Sequence, residues 1–212
     1  AFSLAVGSGE VAAALGGLAK QPDLDFGRFH VFFCYDALEP AAASCDAEAR
    51  GAWLDACGVP AQQVHAPPGG LPPEAAAATY TATICMQPEE VVGDSEQGLP
   101  AVDLALVCTG DDGRCGGVRP ESPEAAAAGS GQVVLFREAG APALALSLDF
   151  FSAARRALLL AGPASRAGML EAALGRGAAA GAGSPGGLVR APETTWLATQ
   201  ESAAGLRAAP AA

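Results

Sequence analysis

A chain of 212 residues with 50% hydrophobic side chains has the length and apolar surface for one domain of ordinary to large size, which excludes disorder of the whole. Twelve Lys and Arg against 23 Asp and Glu leave a net charge of −11. That excludes broad binding to nucleic acid or to an anionic membrane through bulk charge, and leaves room for a local cationic pocket.

The first run, Phe2-Ser3-Leu4-Ala5-Val6, has a core-strand pattern with only Ala1 ahead of it. The expectation is that something upstream is missing, either removed with a targeting segment or not represented. This leaves the compartment open between an organelle (plastid or mitochondrion) and the cytoplasm. Gly7-Ser8-Gly9 then opens an alanine and leucine helix to about Leu18, and Phe29-His30-Val31-Phe32-Phe33-Cys34 reads as a second buried strand. Asp46 to Ala56 suits a helix ended by Gly58 and Pro60. Pro72-Pro73-Glu74 begins another, to about Cys85, by the rule that proline and acidic residues favour the first turn.

Val102-Asp103-Leu104-Ala105-Leu106-Val107-Cys108 is a short apolar run with turn residues on both sides, which predicts a strand covered on both faces. Gln132 to Phe136 and Ala143 to Leu148 predict two more strands, with Gly140 and Pro142 between them and a short helix after Asp149. Ala157 to Ala161 is another buried strand. Pro163-Ala164-Ser165 introduces a helix from Arg166 to Leu174 with serine as its cap, and Trp196-Leu197 marks a last strand before a C-terminal helix. Glu121 to Gly131 reads as an exposed arm, and Gly175 to Gly187, rich in Gly, Ala and Ser, as a flexible surface loop. Strands alternating with helices predict an α/β fold: three layers, a mostly parallel Rossmann-like sheet with helices on both faces, in a single N-terminally incomplete domain over 1–212. No apolar run reaches the length of a membrane span, so a soluble protein without a transmembrane segment is expected.

The six cysteines (34, 45, 57, 85, 108, 115) form no CxxC pair and read as buried free thiols. The two histidines, His30 and His65, lack the spacing of metal ligands. Asp111-Asp112 lacks the further ligands of a calcium loop, and nothing around Ser8 forms a nucleophile elbow. No metal or cofactor is expected.

In open α/β sheets ligands collect beyond the carboxyl ends of the strands, which directs attention to Thr109-Gly110-Asp111-Asp112-Gly113-Arg114-Cys115-Gly116-Gly117. Read from Cys108 to Pro120, this segment resembles the GxGPDGHTxSLFP signature of the 6-phosphogluconolactonase family, relatives of the glucosamine-6-phosphate deaminases. Val6-Gly7-Ser8-Gly9-Glu10 resembles the family's SGGS-type phosphate loop, and Phe33 to Pro40 its DER(x)VP segment. Leu146 to Arg155 resembles TLTLPxxNxAR, Gly162 to Leu170 resembles TGxxKAxxL, and Trp196 to Ala204 resembles WFLDxxAA. Six segments in family order imply the family fold over nearly the whole chain, with activity only by analogy.

The resemblance implies a sugar-phosphate ligand, with Gly7, Ser8, Gly110, Asp112, Gly113 and Arg166 as its binding residues. The departures concern chemistry. Arg114 stands where the family histidine is thought to act as base, and a guanidinium cannot accept a proton at any working pH. Tyr35, Asp36 and Ala37 replace Asp, Glu and Arg of the DER segment, Ala143 replaces an arginine, and Glu10 brings negative charge beside the expected phosphate. No catalytic residue is assigned.

Local readings stand beside these. Gly110 and Gly113 suit a turn needing positive φ, Asp112 suits a cap of its own turn, and Arg166 suits a solvated helix position. Arg114 with Arg119 offers a new anion site, or two solvated loop arginines. The leading expectation is a family member that has lost lactone hydrolysis and serves as a structural or accessory subunit, or a binding module, of a larger assembly. The competing one is a divergent active 6-phosphogluconolactonase of the pentose phosphate pathway, or a sugar-phosphate isomerase, using Asp36 or Asp112 as base. A non-catalytic sugar-phosphate sensor is the third.

Overall fold

Apolar runs become strands and alanine-rich segments become helices in a computed structural model, which describes residues 1–38, 44–123, 132–138, 140–175 and 184–206. The strands are β1 (Phe2–Val6), β2 (Phe29–Phe33), β3 (Tyr35–Ala37), β4 (Val64–His65), β5 (Gly93–Asp94), β6 (Pro100–Ala101), β7 (Leu104–Cys108), β8 (Val133–Glu138), β9 (Ala141–Leu146), β10 (Arg156–Ala161) and β11 (Glu193–Ala198). The helices are α1 (Glu10–Leu15), α2 (Cys45–Ala49) running through a π turn (Arg50–Leu54) into α3 (Asp55–Cys57), α4 (Pro73–Cys85), α5 (Leu148–Ala153) and α6 (Ala167–Leu174).

Six strands form a parallel sheet in the order β11-β10-β7-β1-β2-β4. The chain builds outward from β1 to β2 and β4, then returns to the other side of β1 for β7, β10 and β11. The order therefore reverses between β1 and β7, where loops leaving the two strands diverge and open a crevice.

Side chains alternate between the two faces with the period of a strand. Leu4, Val6, Val31, Phe33 and Leu106 enter one core with Val11 of α1 and with Trp53 and Leu54. Ala5, Phe32, Ala105 and Val107 enter the other with Ala76, Tyr80 and Ile84 of α4 and with Phe150 and Phe151 of α5. Helices thus cover both faces, as the alternation of segments predicts.

The two strands expected over 132–136 and 143–148 form, as β8 and β9, but in a second, antiparallel sheet of order β3-β9-β8; β3 and the separation from the main sheet are not foreseen in the sequence. The second sheet joins the first at Cys34, the one residue between β2 and β3. The Cys34 N–H donates to Val6 O at 2.9 Å, and its carbonyl accepts the N–H of Leu146 at 2.9 Å.

At the outer edge of β2, the short β4 stops at His65, opposite Phe32. Beyond it the buried hydroxyl of Tyr80 donates to Phe33 O at 3.0 Å and accepts the Phe33 N–H at 2.7 Å. Tyr80→Phe leaves both backbone groups buried without that partner, an expected loss of roughly 2–4 kcal/mol. A lower urea midpoint at unchanged slope would register it, and an unchanged midpoint would refute it.

His65 stacks on Phe32 and lies with Nε2 3.2 Å from Nδ1 of His30. Burial, and then the charge of His30, hold its imidazole down at about 4. The unfolded chain, with an ordinary histidine near 6.5, takes up the proton first, so stability is expected to fall as pH drops from about 6.5 towards about 4. A melting temperature followed across that window should slope less steeply for His65→Gln. An identical slope would remove His65 as the cause.

Several sequence expectations are corrected. The strand expected over Ala143 to Leu148 ends at Leu146, because the buried Ser147 caps α5, its Oγ accepting the Phe150 N–H at 3.1 Å. Ser165 is no cap: it lies in a 3₁₀ turn (Ala164–Arg166), and α6 begins at Ala167 without a side-chain cap. The segment 199–206 forms turns, not a helix, as Thr199 and Ser202 exchange side-chain to backbone hydrogen bonds. Of the surface loop expected at 175–187, residues 176–183 lie outside the described residues, and Ser184, Pro185, Gly186 and Gly187 are buried, with Gly186 against the Trp196 ring. Most of the Glu121 to Gly131 arm (124–131) lies outside them too. All six cysteines are free, but only Cys34, Cys45 and Cys115 are buried, and Cys85 is exposed. Among the described residues no helix is long and apolar enough to cross a membrane.

Candidate functional site

The crevice between β1 and β7 is occupied by two loops. Behind β1, the Gly7 N–H continues the sheet by donating to Leu106 O at 2.8 Å, and Ser8 and Gly9 lead into α1. Behind β7, the Thr109 N–H and hydroxyl both donate to Leu160 O, at 3.1 and 2.6 Å. The loop then folds on itself through Gly110 N–H to Arg114 O at 2.9 Å and Gly116 N–H to Cys108 O at 3.1 Å.

Between the loops lies a cavity of about 700 Å³, with Gly7, Ser8, Glu10, Tyr35, Cys108, Gly110, Asp111, Asp112, Arg114 and Arg166 among its lining. Five of the six expected binding residues, Gly7, Ser8, Gly110, Asp112 and Arg166, are thus brought to one surface, and Gly113 is not among the lining. Gly113 has φ +85°, so the positive-φ reading holds for it. For Gly110 that reading is corrected: its φ is not positive, and a Cβ there would lie 2.5 Å from Arg114 Cγ and 2.7 Å from Asp112 Oδ1. Its smallness makes room for two neighbouring side chains.

Arg166 is not the solvated residue its helix position suggests. Its side chain is 9% exposed. Its guanidinium is forked onto Glu10, with Nη1 to Oε2 at 2.8 Å and Nη2 to Oε1 at 2.9 Å, while Nε reaches Asp111 Oδ1 at 3.3 Å. Arg114, expected either to pair with Arg119 around an anion or to be solvated, is instead bound to Asp112, with Nη2 to Oδ2 at 2.9 Å and Nε to both oxygens at 3.0 Å. Asp112 also accepts the Arg114 N–H at 3.2 Å, the local turn its sequence position suggests.

These pairings set the proton chemistry. Burial works to raise the Asp112 carboxyl, but the hydrogen bonds and charge of Arg114 outweigh it and hold the group below the usual range. Burial pushes the Cys108 thiol up, with Arg166 offsetting part of the effect, so it is a poor nucleophile. Asp36 is 4% exposed, accepts the Cys45 N–H at 3.1 Å, and does not line the cavity. Burial raises its carboxyl. His30 and His65 lie outside the cavity lining. Among the described residues, no group of three or more His, Cys, Asp or Glu is placed to hold a metal ion.

The family model for glucosamine-6-phosphate isomerases and 6-phosphogluconolactonases matches residues 1–197. The chain belongs to this family. No curated protein sequence matches it significantly. Solved structures with the same fold include the devB protein (22% identity, 97% of this chain and 87% of that one, TM-score 0.80). Others are a 6-phosphogluconolactonase from Trypanosoma brucei (18%, 97% and 86%, 0.80) and a monomeric glucosamine-6-phosphate deaminase (17%, 97% and 88%, 0.73).

In this 6-phosphogluconolactonase-like chain, the two segments resembling the family's phosphate loop and signature loop face each other across one cavity. Asp111 was not anticipated as a partner of Arg166, nor Tyr35 and Cys108 as cavity walls. A signal existed for one contact only: Glu10 was already placed beside the expected anion, where a cation such as Arg166 would be drawn to it.

Proposed function

We propose that this protein keeps the family's fold and cavity without lactone hydrolysis, and that it serves as a structural or accessory subunit, or a binding module, of a larger assembly. One observation carries the reading. Glu10, Asp111 and Asp112, the carboxylates on the cavity wall, are each ion-paired to an arginine, and the place of the family histidine holds one of those arginines.

Opening a lactone ring requires water activated by a base whose pKa lies near the working pH. The Asp112 carboxylate, held low by Arg114, is a weak base, and the guanidinium is none. Loss of a positioned base costs roughly 10² to 10⁴ in rate.

The active-enzyme reading also has one observation in its favour. Asp36 has a raised carboxyl, the property a base needs, in a position where it would have to be uncovered. The deciding measurement is hydrolysis of freshly generated 6-phosphogluconolactone above its spontaneous rate. No excess is the expected result. Turnover at ordinary enzymatic rates, abolished by Asp36→Asn, would replace this reading with the active one.

A further inference from the structure

We propose that Glu10 is a built-in substitute for a bound anion, and that it restricts this cavity to ligands without a phosphate group. The proposal rests on the reading that the crevice between β1 and β7 is where this chain would hold a ligand.

The fork of Arg166 is the strongest anion receptor in the cavity: planar, buried and permanently charged. Its Nη1 and Nη2 present the parallel pair of N–H groups that a phosphate or carboxylate takes two at a time. Both are occupied by the two oxygens of Glu10, at 2.8 and 2.9 Å, and Nε is occupied by Asp111. A second donor is taken in the same way. The Gly9 N–H, in the loop that resembles a phosphate loop, donates to Glu48 Oε1 at 2.9 Å. Two donors suited to an anion are therefore met by protein carboxylates from separate parts of the chain, 156 and 39 residues away.

Charge adds to the occupancy. The cavity wall carries Glu10, Asp111 and Asp112 against Arg114 and Arg166, a formal balance of 2 − 3 = −1. An incoming phosphate must displace Glu10 from Arg166 and then remain beside the displaced carboxylate, so it meets repulsion where a family ligand would meet attraction. An uncharged ligand displaces nothing. The sugar phosphate expected from the resemblance is thus the ligand this geometry disfavours.

The test uses the whole chain and two substitutions. Wild type, Glu10→Gln and Glu10→Ala are titrated with inorganic phosphate and with 6-phosphogluconate, reading the melting temperature and, by calorimetry, the dissociation constant. Wild type should show no saturable stabilisation. The variants should bind at least about tenfold more tightly, with a melting temperature that rises with ligand concentration. Glu10→Gln keeps the side-chain volume and one acceptor oxygen, so it carries the comparison if Glu10→Ala fails to fold.

Saturable binding of 6-phosphogluconate by wild type, as tight as by the variants, would overturn the proposal, as would a folded Glu10→Gln that gains nothing. Assaying the same samples with gluconolactone and with its 6-phosphate separates this failure from that of the non-catalytic reading. Turnover of the unphosphorylated lactone alone overturns that reading and supports the role of Glu10. Absence of turnover together with no gain in the variants overturns only the role of Glu10.

Discussion

The paired substitution Arg114→His and Glu10→Gln is expected to raise the hydrolysis of 6-phosphogluconolactone on the order of 10²-fold above whatever the wild-type chain shows, if the non-catalytic reading proposed above holds. Two obstacles are removed together. A histidine at 114 supplies a group that exchanges a proton near neutral pH, and it arrives beside Asp112, whose oxygens lie 3.0 Å from the present Arg114 Nε and would orient the ring. Neutralising Glu10 releases the Arg166 fork for the substrate's phosphate. Arg114→His alone should gain less, because the phosphate donors stay occupied. Hydrolysis corrected for the spontaneous rate, with a pH limb near the ordinary histidine value of about 6.5, would identify the new base. A folded double variant with no rise would show that hydrolysis is limited elsewhere, with Asp36, Ala37 and Ala143 the next positions to vary.

Phe151→Ala should cost about 3–5 kcal/mol, the usual range for removing a fully buried phenylalanine. For a chain of this size that corresponds to a melting temperature lower by on the order of 10 °C. The effect should not be confined to global stability. Phe151 is wholly buried, and its ring lies directly under Gly116, where a Cβ would come within 2.7 Å of Cζ. The ring is the floor on which the loop from Thr109 to Gly117 rests, so its removal should also speed amide exchange at Gly110 and Gly116, whose N–H groups close the loop. Loss of stability without faster exchange at these two amides would show that the loop is held by its own hydrogen bonds.

The main sheet was legible because its strands are short apolar runs separated by turn residues, and because helix and strand segments alternate. The family likeness gave the order of the segments. What stayed hidden is short, local or long-range. Tyr35–Ala37 and Val64–His65 are three and two residues long, too brief for a period to register, so the third strand of the second sheet and the edge of the first stay hidden, and without β3 nothing sets β8 and β9 apart from the main sheet. Ser147 lies within the apolar run read as a strand yet caps the helix after it, whereas Ser165, which looks like a cap, is taken into a 3₁₀ turn ahead of its helix. The cavity's residues were found from loop position, but the state of Arg166 was not. Seen along the chain it is a basic residue at the start of a helix. Its burial depends on a carboxylate 156 positions away, and no local pattern carries that information.

The meeting of two sheets at Cys34 bears on what a guest in the cavity would touch. One peptide unit there is hydrogen-bonded into the parallel sheet through its nitrogen, and the next into the antiparallel sheet through the Cys34 carbonyl. Cys34 and Tyr35 themselves stand in the cavity wall. Each sheet therefore holds its own peptide unit on one side of the Cys34 Cα, and the direction of the chain changes from one sheet to the other within this single residue. The wall of the cavity on this side is thus built by the junction of the two sheets, and the opposite wall by the loops after β1 and β7, so a guest would touch both sheets of the fold at once.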